Sequence, residues 1–230
     1  MPRPQIFVLA GTNGAGKSTA GHRELTQAGL TWFNPDTFTR ELIVATGAPQ
    51  AEANAAAWQE GLRQLEAAIA NGIDHAFETT LGGNTIAAKL REAATTHDLL
   101  MWFSGLDSPE HHLARIQFRV SRGGHDIPEA KVRERYDASR RNLIALLPVL
   151  TQLQLYDNSI DAIPGQPMPN PRLLLQMERG RIAWPADAST LMQTADWAKP
   201  ILEAALQMQE SHRNPAQSAG RTTHCGVSSR

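Results

Sequence analysis

The stretch from residue 11 to residue 19 has the residue types and the spacing that hold a phosphate group. It follows the apolar run of residues 5–10 and fits the pattern G-x-x-x-x-G-K-[ST], in which glycines let backbone N–H groups surround an anion. Lys17 would reach the β- and γ-phosphates, and the hydroxyl group of Ser18 would bind Mg²⁺. The alternative, a glycine-rich turn with an incidental lysine, is disfavoured because an apolar strand precedes the pattern. The predicted nucleotide-binding residues are Gly11, Thr12, Asn13, Gly14, Ala15, Gly16, Lys17, Ser18 and Thr19.

A candidate catalytic carboxylate follows the next apolar stretch. Asn34, Pro35 and Asp36 come directly after residues 30–33, which predict a short strand. Ligands of doubly wound sheets bind outside the carboxyl ends of the strands, so Asp36 could take a proton from a substrate hydroxyl group there. A structural role stays open as well, because aspartate is a good N-cap for the helix predicted to begin near Thr37.

Two further polar residues end the strand predicted over residues 73–77. Glu78 and Thr80 are two positions apart, so in an extended segment their side chains point to the same side of the chain. This placement predicts contacts to a ligand at the edge of the sheet. A polar turn leading into the next helix explains the same residues, and the sequence does not decide between the two.

Three arginines are candidates for stabilising a transferred phosphoryl group. Arg119 and Arg122 belong to a predicted helix that ends at Gly123-Gly124, and Arg135 lies on the next helix of a predicted lid over residues 111–146. Guanidinium groups on a lid spread positive charge over phosphoryl oxygens, and the lid excludes water. The alternative is a solvated basic face that pairs with nearby carboxylates. Surface pairing is the favoured interpretation for Arg115 and Arg133.

The elements around these residues predict an α/β protein with the three-layer P-loop NTPase fold. Apolar strands alternate with helices, which predicts a mainly parallel sheet with a helical lid and a C-terminal β-hairpin plus helix. A single domain is expected over residues 1–210, with the hairpin and helix inside residues 164–210. Residues 211–230 lack an apolar pattern and are predicted to be disordered.

The predicted helix of residues 51–71 shows how the core is expected to form. Trp58, Leu62, Leu65 and Ile69 recur at three- and four-residue spacing, which predicts a stripe that packs into the core. The other predicted elements are helices over residues 17–28 and 196–208, a helix capped by Asn84, a strand over residues 153–159 that closes the sheet, and a hairpin over residues 172–184.

Composition restricts the classes of protein and partner. The 230 residues carry a net charge of −1, so no overall positive field attracts nucleic acid or an anionic membrane. The single cysteine, Cys225, excludes an internal disulfide bond and fits a reducing compartment. No apolar stretch reaches 18 residues and the N-terminus lacks the pattern of a signal peptide. We therefore expect a cytoplasmic enzyme with neither a nucleic-acid nor a membrane partner.

Taken together, these motifs resemble the zeta-toxin family of P-loop kinases, in particular its short chromosomal branch. The order and spacing of the blocks carry the resemblance more than the P-loop, which many families share. The blocks span roughly residues 5 to 160. They are Gly11–Thr19, Asn34-Pro35-Asp36, Phe77-Glu78-Thr79-Thr80, the R-x-x-R-G-G-H-x-I-P-E segment from Arg119 to Glu129, Arg135, and Tyr156-Asp157-Asn158-Ser159.

The resemblance implies an activity and a role for each candidate residue. Members of the family phosphorylate the 3′-hydroxyl group of the amino sugar in UDP-N-acetylglucosamine, using ATP or GTP with Mg²⁺, and an antitoxin protein covers their nucleotide site. By this resemblance Asp36 is the base, and Glu78 and Thr80 contact the substrate or support the residues that contact it. Arg122 and Arg135 match the two transition-state arginines, with Arg119 as an alternative for one of them.

The sequence is therefore compatible with two classes of function. The first is a small-molecule kinase, in which positioning and electrostatics do nearly all the chemistry. The second is a P-loop NTPase switch, in which hydrolysis changes the conformation of a partner and no small-molecule acceptor exists. Phosphorylation of an acceptor distinguishes the two classes.

Overall fold

The computed structural model describes residues 2–17, 31–162 and 169–213. Within these ranges it contains one six-stranded sheet and seven α-helices, together with 3₁₀ turns at Leu147–Val149 and Asp196–Ala198. The strands are β1 (Gln5–Ala10), β2 (His75–Thr79), β3 (Asp98–Gly105), β4 (Gln152–Asp157), β5 (Arg172–Glu178) and β6 (Arg181–Trp184). The helices are α1 (Pro35–Thr46), α2 (Gln50–Asn71), α3 (Asn84–Ala93), α4 (Pro109–Val120), α5 (Glu129–Leu146), α6 (Ala188–Met192) and α7 (Lys199–Arg213).

The sheet has the strand order β2-β1-β3-β4-β5-β6. The first four strands are parallel, and Val8 of β1 lies between Phe77 of β2 and Met101 of β3. The hairpin predicted over residues 172–184 is confirmed as β5 and β6, which extend the sheet by antiparallel pairing. The strand predicted over residues 153–159 corresponds to β4 and was expected to be the last strand of the sheet. This expectation is wrong, because β5 pairs with the outer side of β4.

The chain between the P-loop and α1 departs from the predicted short strand. Among its described residues, only Phe33 pairs with the sheet, by a single parallel bridge to Phe77 of β2. Its amide donates to Ala76 O at 2.8 Å, and its carbonyl accepts from Glu78 N at 2.9 Å. The pairing stops there because Asn34 begins a helix at once, accepting hydrogen bonds from the amides of residues 36 and 37 at 2.9 and 3.1 Å.

The hydrophobic core lies between the central strands and the helices packed on them. Of the stripe predicted on α2, Leu65 is fully buried, but Trp58 is 49% exposed, so the prediction is wrong for this tryptophan. The small residues on α2 are buried instead, because they let the helix lie close to its neighbours. The buried residues of the central strands include Ile6, Val8, Leu99, Met101, Phe103, Leu153 and Leu155.

The predicted lid consists of α4, a glycine-containing turn and α5. Ser108 caps α4 by accepting from His111 N at 3.2 Å. Ile116, Ile127 and Val132 form a separate small core that ties the two helices together. None of the helices in the described ranges is both long and apolar enough to span a bilayer.

Some predicted features need correction or lie outside the described ranges. Asn84 does not cap a helix, because α3 begins at that residue and Gly83 holds the cap position without a side chain. Residues 211–213 were predicted to start a disordered tail, but they form the last turn of α7. One face of α7 is buried in the core, and a helix that is already formed extends easily by another turn. The remaining predictions fall outside the described residues. They are the rest of the helix predicted over residues 17–28, the predicted metal ligand Ser18, the predicted nucleotide contact Thr19, and the tail from residue 214.

Candidate active site

The P-loop runs from the end of β1 to Lys17 and has the backbone that its glycines allow. Gly14 and Gly16 have φ angles of 84° and 79°, in the left-handed region that disfavours other residues. A Cβ atom on Gly16 would also lie 2.3 Å from Asn158 Nδ2. The Ala15 carbonyl accepts from Ser104 Oγ at 2.8 Å and from Asn158 Nδ2 at 3.0 Å. Two donors from β3 and from the end of β4 therefore fix the shape of the loop.

The side chain of Lys17 is buried at the end of this loop. Its ammonium group donates to Thr12 O at 3.3 Å and lies 3.6 Å from Glu78 Oε1. The other carboxylate oxygen, Glu78 Oε2, accepts from Asn34 Nδ2 at 3.0 Å. The predicted phosphate ligand and the predicted substrate contact are thus neighbours, and the asparagine that caps α1 holds the carboxylate in place.

A cavity of about 320 Å³ opens beside the P-loop and brings together six of the fifteen predicted site residues. Lys17 and Asn13 of the P-loop contribute to its wall. Asp36, Glu78 and Thr80 line it from the carboxyl edge of the sheet. The remaining lining residues include Phe33, Asn54, Trp58, Leu62, Ile86, His125, Asp126, Lys131 and Arg135.

Asp36 lies in the first turn of α1 and is available to a ligand. Its side chain is 44% exposed, and its Oδ1 atom is 3.9 Å from His125 Nε2 across the cavity. The alternative role as an N-cap is excluded, because Asn34 holds the cap position. A carboxylate at this end of a helix is also favoured by the helix dipole.

Arg135 is the predicted lid arginine that reaches the cavity. Its Nη1 atom donates to Asn13 Oδ1 at 2.8 Å, which joins α5 to the P-loop. The same helix is held over the loop by a 3.2 Å hydrogen bond between Ser139 Oγ and Thr12 Oγ1. Its next turn is held by Asn142, which donates to Leu81 O at 2.9 Å. Helix α5 is thereby fixed to both sides of the cavity.

Arg119 and Arg122 lie elsewhere in the lid. Arg119 supports the glycine turn, because its Nη2 atom donates to His125 O at 3.1 Å and its stem fills the space where Gly124 lacks a Cβ atom. The guanidinium group of Arg122 lies 4.2 Å from the ring centroid of Phe118 on the outer side of α4. Neither arginine lines the cavity that holds Asp36.

The surface pairing predicted for two other lid arginines is confirmed. Arg115 pairs with Asp161 at 2.7 Å, and Arg133 pairs with Glu110 and Glu129 at 2.7 Å each. Arg115 and Arg133 thus pair with exposed carboxylates at the surface of the lid, whereas Arg135 lines the cavity.

Sequence reasoning missed a buried histidine that supports the P-loop. His112 of α4 is 1% exposed, and its Nδ1 atom lies 2.7 Å from Asn13 O. A carbonyl only accepts, so Nδ1 donates and the imidazole is the neutral tautomer protonated there. Burial lowers the pKa of His112 to about 4. No sequence signal marked this residue, because its partner is a backbone atom 99 positions away.

The P-loop has the groups that bind a phosphate, while the bound nucleotide and the metal remain predictions. The glycine backbone and the buried ammonium group of Lys17 are the groups that a nucleotide phosphate requires. Ser18, the predicted Mg²⁺ ligand, lies outside the described residues. Among the residues that are described, no cluster of three His, Cys, Asp or Glu side chains could hold a metal ion.

Known structures share this architecture at low sequence identity. The PezAT chromosomal toxin-antitoxin system of Streptococcus pneumoniae matches with a TM-score of 0.53 and 15% identity, covering 95% of this chain and 88% of that chain. The AvrRxo1-ORF1:-ORF2 complex with ATP matches with a TM-score of 0.58 and 14% identity, covering 89% of this chain and 64% of that chain. The sheet, P-loop and lid define an α/β protein with the P-loop kinase-like fold, and the predicted fold class is confirmed.

Sequence comparison shows the family of the chain. No family model matches it. An uncharacterized protein of Haemophilus influenzae (strain ATCC 51907 / DSM 11121 / KW20 / Rd) is 32% identical over 150 residues, covering 59% of this chain and 100% of that protein. The chain belongs to the same family as this Haemophilus protein.

Proposed function

We propose that the protein is an ATP- or GTP-dependent kinase that transfers the γ-phosphate to a hydroxyl group of a small molecule. The observation that carries the proposal is that Lys17, Asp36 and Arg135 line one and the same cavity. A phosphate ligand, a carboxylate base and a guanidinium group are three of the groups that enzymes use to transfer a phosphoryl group to an alcohol.

Each of these groups has a defined task in the proposed reaction. The backbone of the P-loop and the Lys17 ammonium group bind the β- and γ-phosphates of the nucleotide. Asp36 accepts the proton of the attacking hydroxyl group as the new oxygen–phosphorus bond forms. Arg135 stabilises the charge on the phosphoryl oxygens, and helix α5 limits the access of water. Mg²⁺, when bound through Ser18, would neutralise and orient the phosphates.

The acceptor that we propose is a nucleotide sugar such as UDP-N-acetylglucosamine. This choice rests on the resemblance to the zeta-toxin family, and Glu78 and Thr80 line the cavity where the sugar would bind. Glu78 is held by a hydrogen bond from Asn34 Nδ2, so its carboxylate is a positioned acceptor for sugar hydroxyl groups when the phosphates engage Lys17.

A small antitoxin protein is a further proposed partner. Two structural neighbours are parts of two-component complexes, the PezAT toxin-antitoxin system and AvrRxo1-ORF1:-ORF2. An inhibitor that covers the P-loop would block nucleotide entry without changing the fold. Co-expression with the product of an adjacent small reading frame, followed by a nucleotide-binding assay, tests this partner.

The experiment for the kinase proposal measures phosphorylation of UDP-N-acetylglucosamine by ATP or GTP with Mg²⁺, using mass spectrometry. Replacement of the base by Asp36→Asn should lower transfer about 10²- to 10⁴-fold while nucleotide binding persists. The matched control is Glu41→Gln, which changes an exposed carboxylate on the same helix away from the cavity. Full transfer by Asp36→Asn would exclude the assigned base. Nucleotide hydrolysis with no phosphorylated acceptor, in this assay and in a metabolite extract, would favour the NTPase switch.

A further inference from the structure

His125 lies in the glycine turn of the lid, and its ring faces Asp36 across the cavity. The side chain of His125 is 22% exposed, and its Nε2 atom is 3.9 Å from Asp36 Oδ1. Among the side chains of the described residues, this imidazole is the one basic group within 4 Å of the Asp36 carboxylate. The proposed base therefore has a second polar side chain opposite it, and the reaction described above gives that side chain no task.

The place of residue 125 is fixed by its backbone and by its neighbours. Arg119 Nη2 donates to the His125 carbonyl at 3.1 Å, and Ile127 is buried in the small core of the lid. Gly124 lets the turn pass close to Arg119, since a Cβ atom there would lie 2.6 Å from Arg119 Cγ. Every amino acid has a backbone carbonyl, so these contacts explain where residue 125 lies but make no use of an imidazole ring.

The imidazole ring has no structural partner in the described part of the chain. Neither ring nitrogen forms a hydrogen bond with a described residue, because the 3.9 Å to Asp36 exceeds hydrogen-bond distance. The structural histidine His112 differs, since it is buried and bonded to Asn13 O. A polar ring that lines a cavity without a protein partner is available to a ligand.

The gap between His125 and Asp36 fits one oxygen atom. An oxygen at hydrogen-bond distance, about 2.8 Å, from both Nε2 and Oδ1 would bridge them at an angle of about 90°. A carboxylate only accepts hydrogen bonds, so Asp36 favours the tautomer of His125 that carries its proton on Nε2. The bridging oxygen must then accept from His125 and donate to Asp36, which a hydroxyl group does.

We infer that His125 is a catalytic residue, which together with Asp36 holds the attacking hydroxyl group of the acceptor. The inference rests on the proposed function. One lone pair of the hydroxyl oxygen accepts from His125 Nε2, and the other forms the bond to the γ-phosphorus. The bond between this phosphorus and the nucleoside diphosphate breaks, and its electron pair leaves on the diphosphate oxygen. The hydroxyl proton passes to Asp36 while His125 keeps its own, so His125 fixes the direction of attack and is not the base.

The test measures two reactions of the full chain. The first is single-turnover transfer from ATP to UDP-N-acetylglucosamine, and the second is ATP hydrolysis without an acceptor, in which water takes the place of the hydroxyl group. His125→Ala should lower both rates about 10- to 100-fold and leave ATP binding, measured by calorimetry, unchanged. His125→Gln puts an amide N–H group near the position of Nε2 and should restore most of the lost rate.

A control variant and three outcomes decide whether the ring itself acts. Ser121→Ala changes an exposed side chain at the end of α4 that does not line the cavity, so it should react like the wild type. Equal rates for the wild type and His125→Ala would overturn the inference. Equal losses in His125→Ala and His125→Gln would also overturn it, since a role that an amide cannot replace points to proton transfer. Loss of ATP binding in both His125 variants would show a structural role and overturn it too.

The two reactions separate this inference from the kinase assignment. Transfer that does not depend on His125 overturns the inference and leaves the kinase assignment in place. Hydrolysis that depends on His125, with no phosphorylated acceptor even in a metabolite extract, supports the contact to the attacking oxygen and overturns the kinase assignment. A wild-type protein that catalyses neither reaction would overturn both.

Discussion

The ammonium group of Lys17 lies 3.6 Å from a carboxylate oxygen of Glu78, and the two side chains are only 6% and 9% exposed. A buried ion pair of this kind joins the P-loop to the end of β2. A bound phosphate would compete with the carboxylate for the same ammonium group, so the pair holds the lysine in place before nucleotide arrives.

Removing one partner of this pair should destabilise the fold more than removing both. Lys17→Met or Glu78→Gln alone should cost about 3–5 kcal/mol of unfolding free energy, because an uncompensated polar group stays buried. The double variant should recover part of this loss. Denaturant unfolding of all four proteins measures the coupling, and the exposed pair Lys131–Glu134 serves as the control with little effect expected. Additive effects of Lys17→Met and Glu78→Gln would contradict the coupling.

Gly16 should be irreplaceable for two separate reasons. Gly16→Ala places a side chain at a φ angle of 79° and 2.3 Å from Asn158 Nδ2, so either the loop shifts or Asn158 gives up its hydrogen bond to Ala15 O. Gly47→Ala is the matched control, because its φ angle is 69° but nothing lies within 4 Å of the added atom. We expect the control to lose about 1–2 kcal/mol and keep nucleotide binding, whereas Gly16→Ala loses both. Equal ATP affinity in the two variants, measured by calorimetry, would contradict this expectation.

The lid arginines should differ in their effect on phosphoryl transfer. Arg135→Gln removes a guanidinium group beside Asn13 in the cavity and should lower the rate of transfer by about 10³-fold or more. Arg122→Gln changes a group that stacks on Phe118, and its rate should stay close to that of the wild type. Single-turnover kinetics measures both. An equal loss in the two variants would show that the end of α4 moves onto the phosphates during the reaction.

His112 should make the stability of the protein fall in mild acid. Its native pKa is about 4, below the ordinary 6.5, so between these values the unfolded chain binds a proton that the folded chain does not. As the pH falls from about 6.5 to 4, this difference costs about 3 kcal/mol. His112→Gln, which can still donate to Asn13 O, should show a flatter dependence of the unfolding free energy on pH. Identical slopes for the two proteins would exclude His112 as the cause.

Much of the fold follows from short-range patterns. The apolar strand before the P-loop and the hairpin over residues 172–184 depend on neighbouring residues, and both were predicted correctly. The errors occur where local preference and tertiary packing disagree. Asn84 is a good cap residue, yet Gly83 holds that position, where its carbonyl accepts from Asn142 of α5. The residues before Asn34 have strand propensity, but a helix cap leaves room for only one bridge.

The sequence by itself determined the P-loop, since a strand, a glycine turn and a lysine are adjacent in the chain and need no distant partner. It also determined which polar residues follow the strands that meet at the edge of the sheet, because parallel strands bring their carboxyl ends together. The tertiary structure alone decided that Arg135 enters the cavity while Arg119 supports a turn, and that Trp58 lines the cavity and stays half exposed. These outcomes depend on which helix faces meet across the fold, and the spacing of residues along one helix carries no information about the opposite surface.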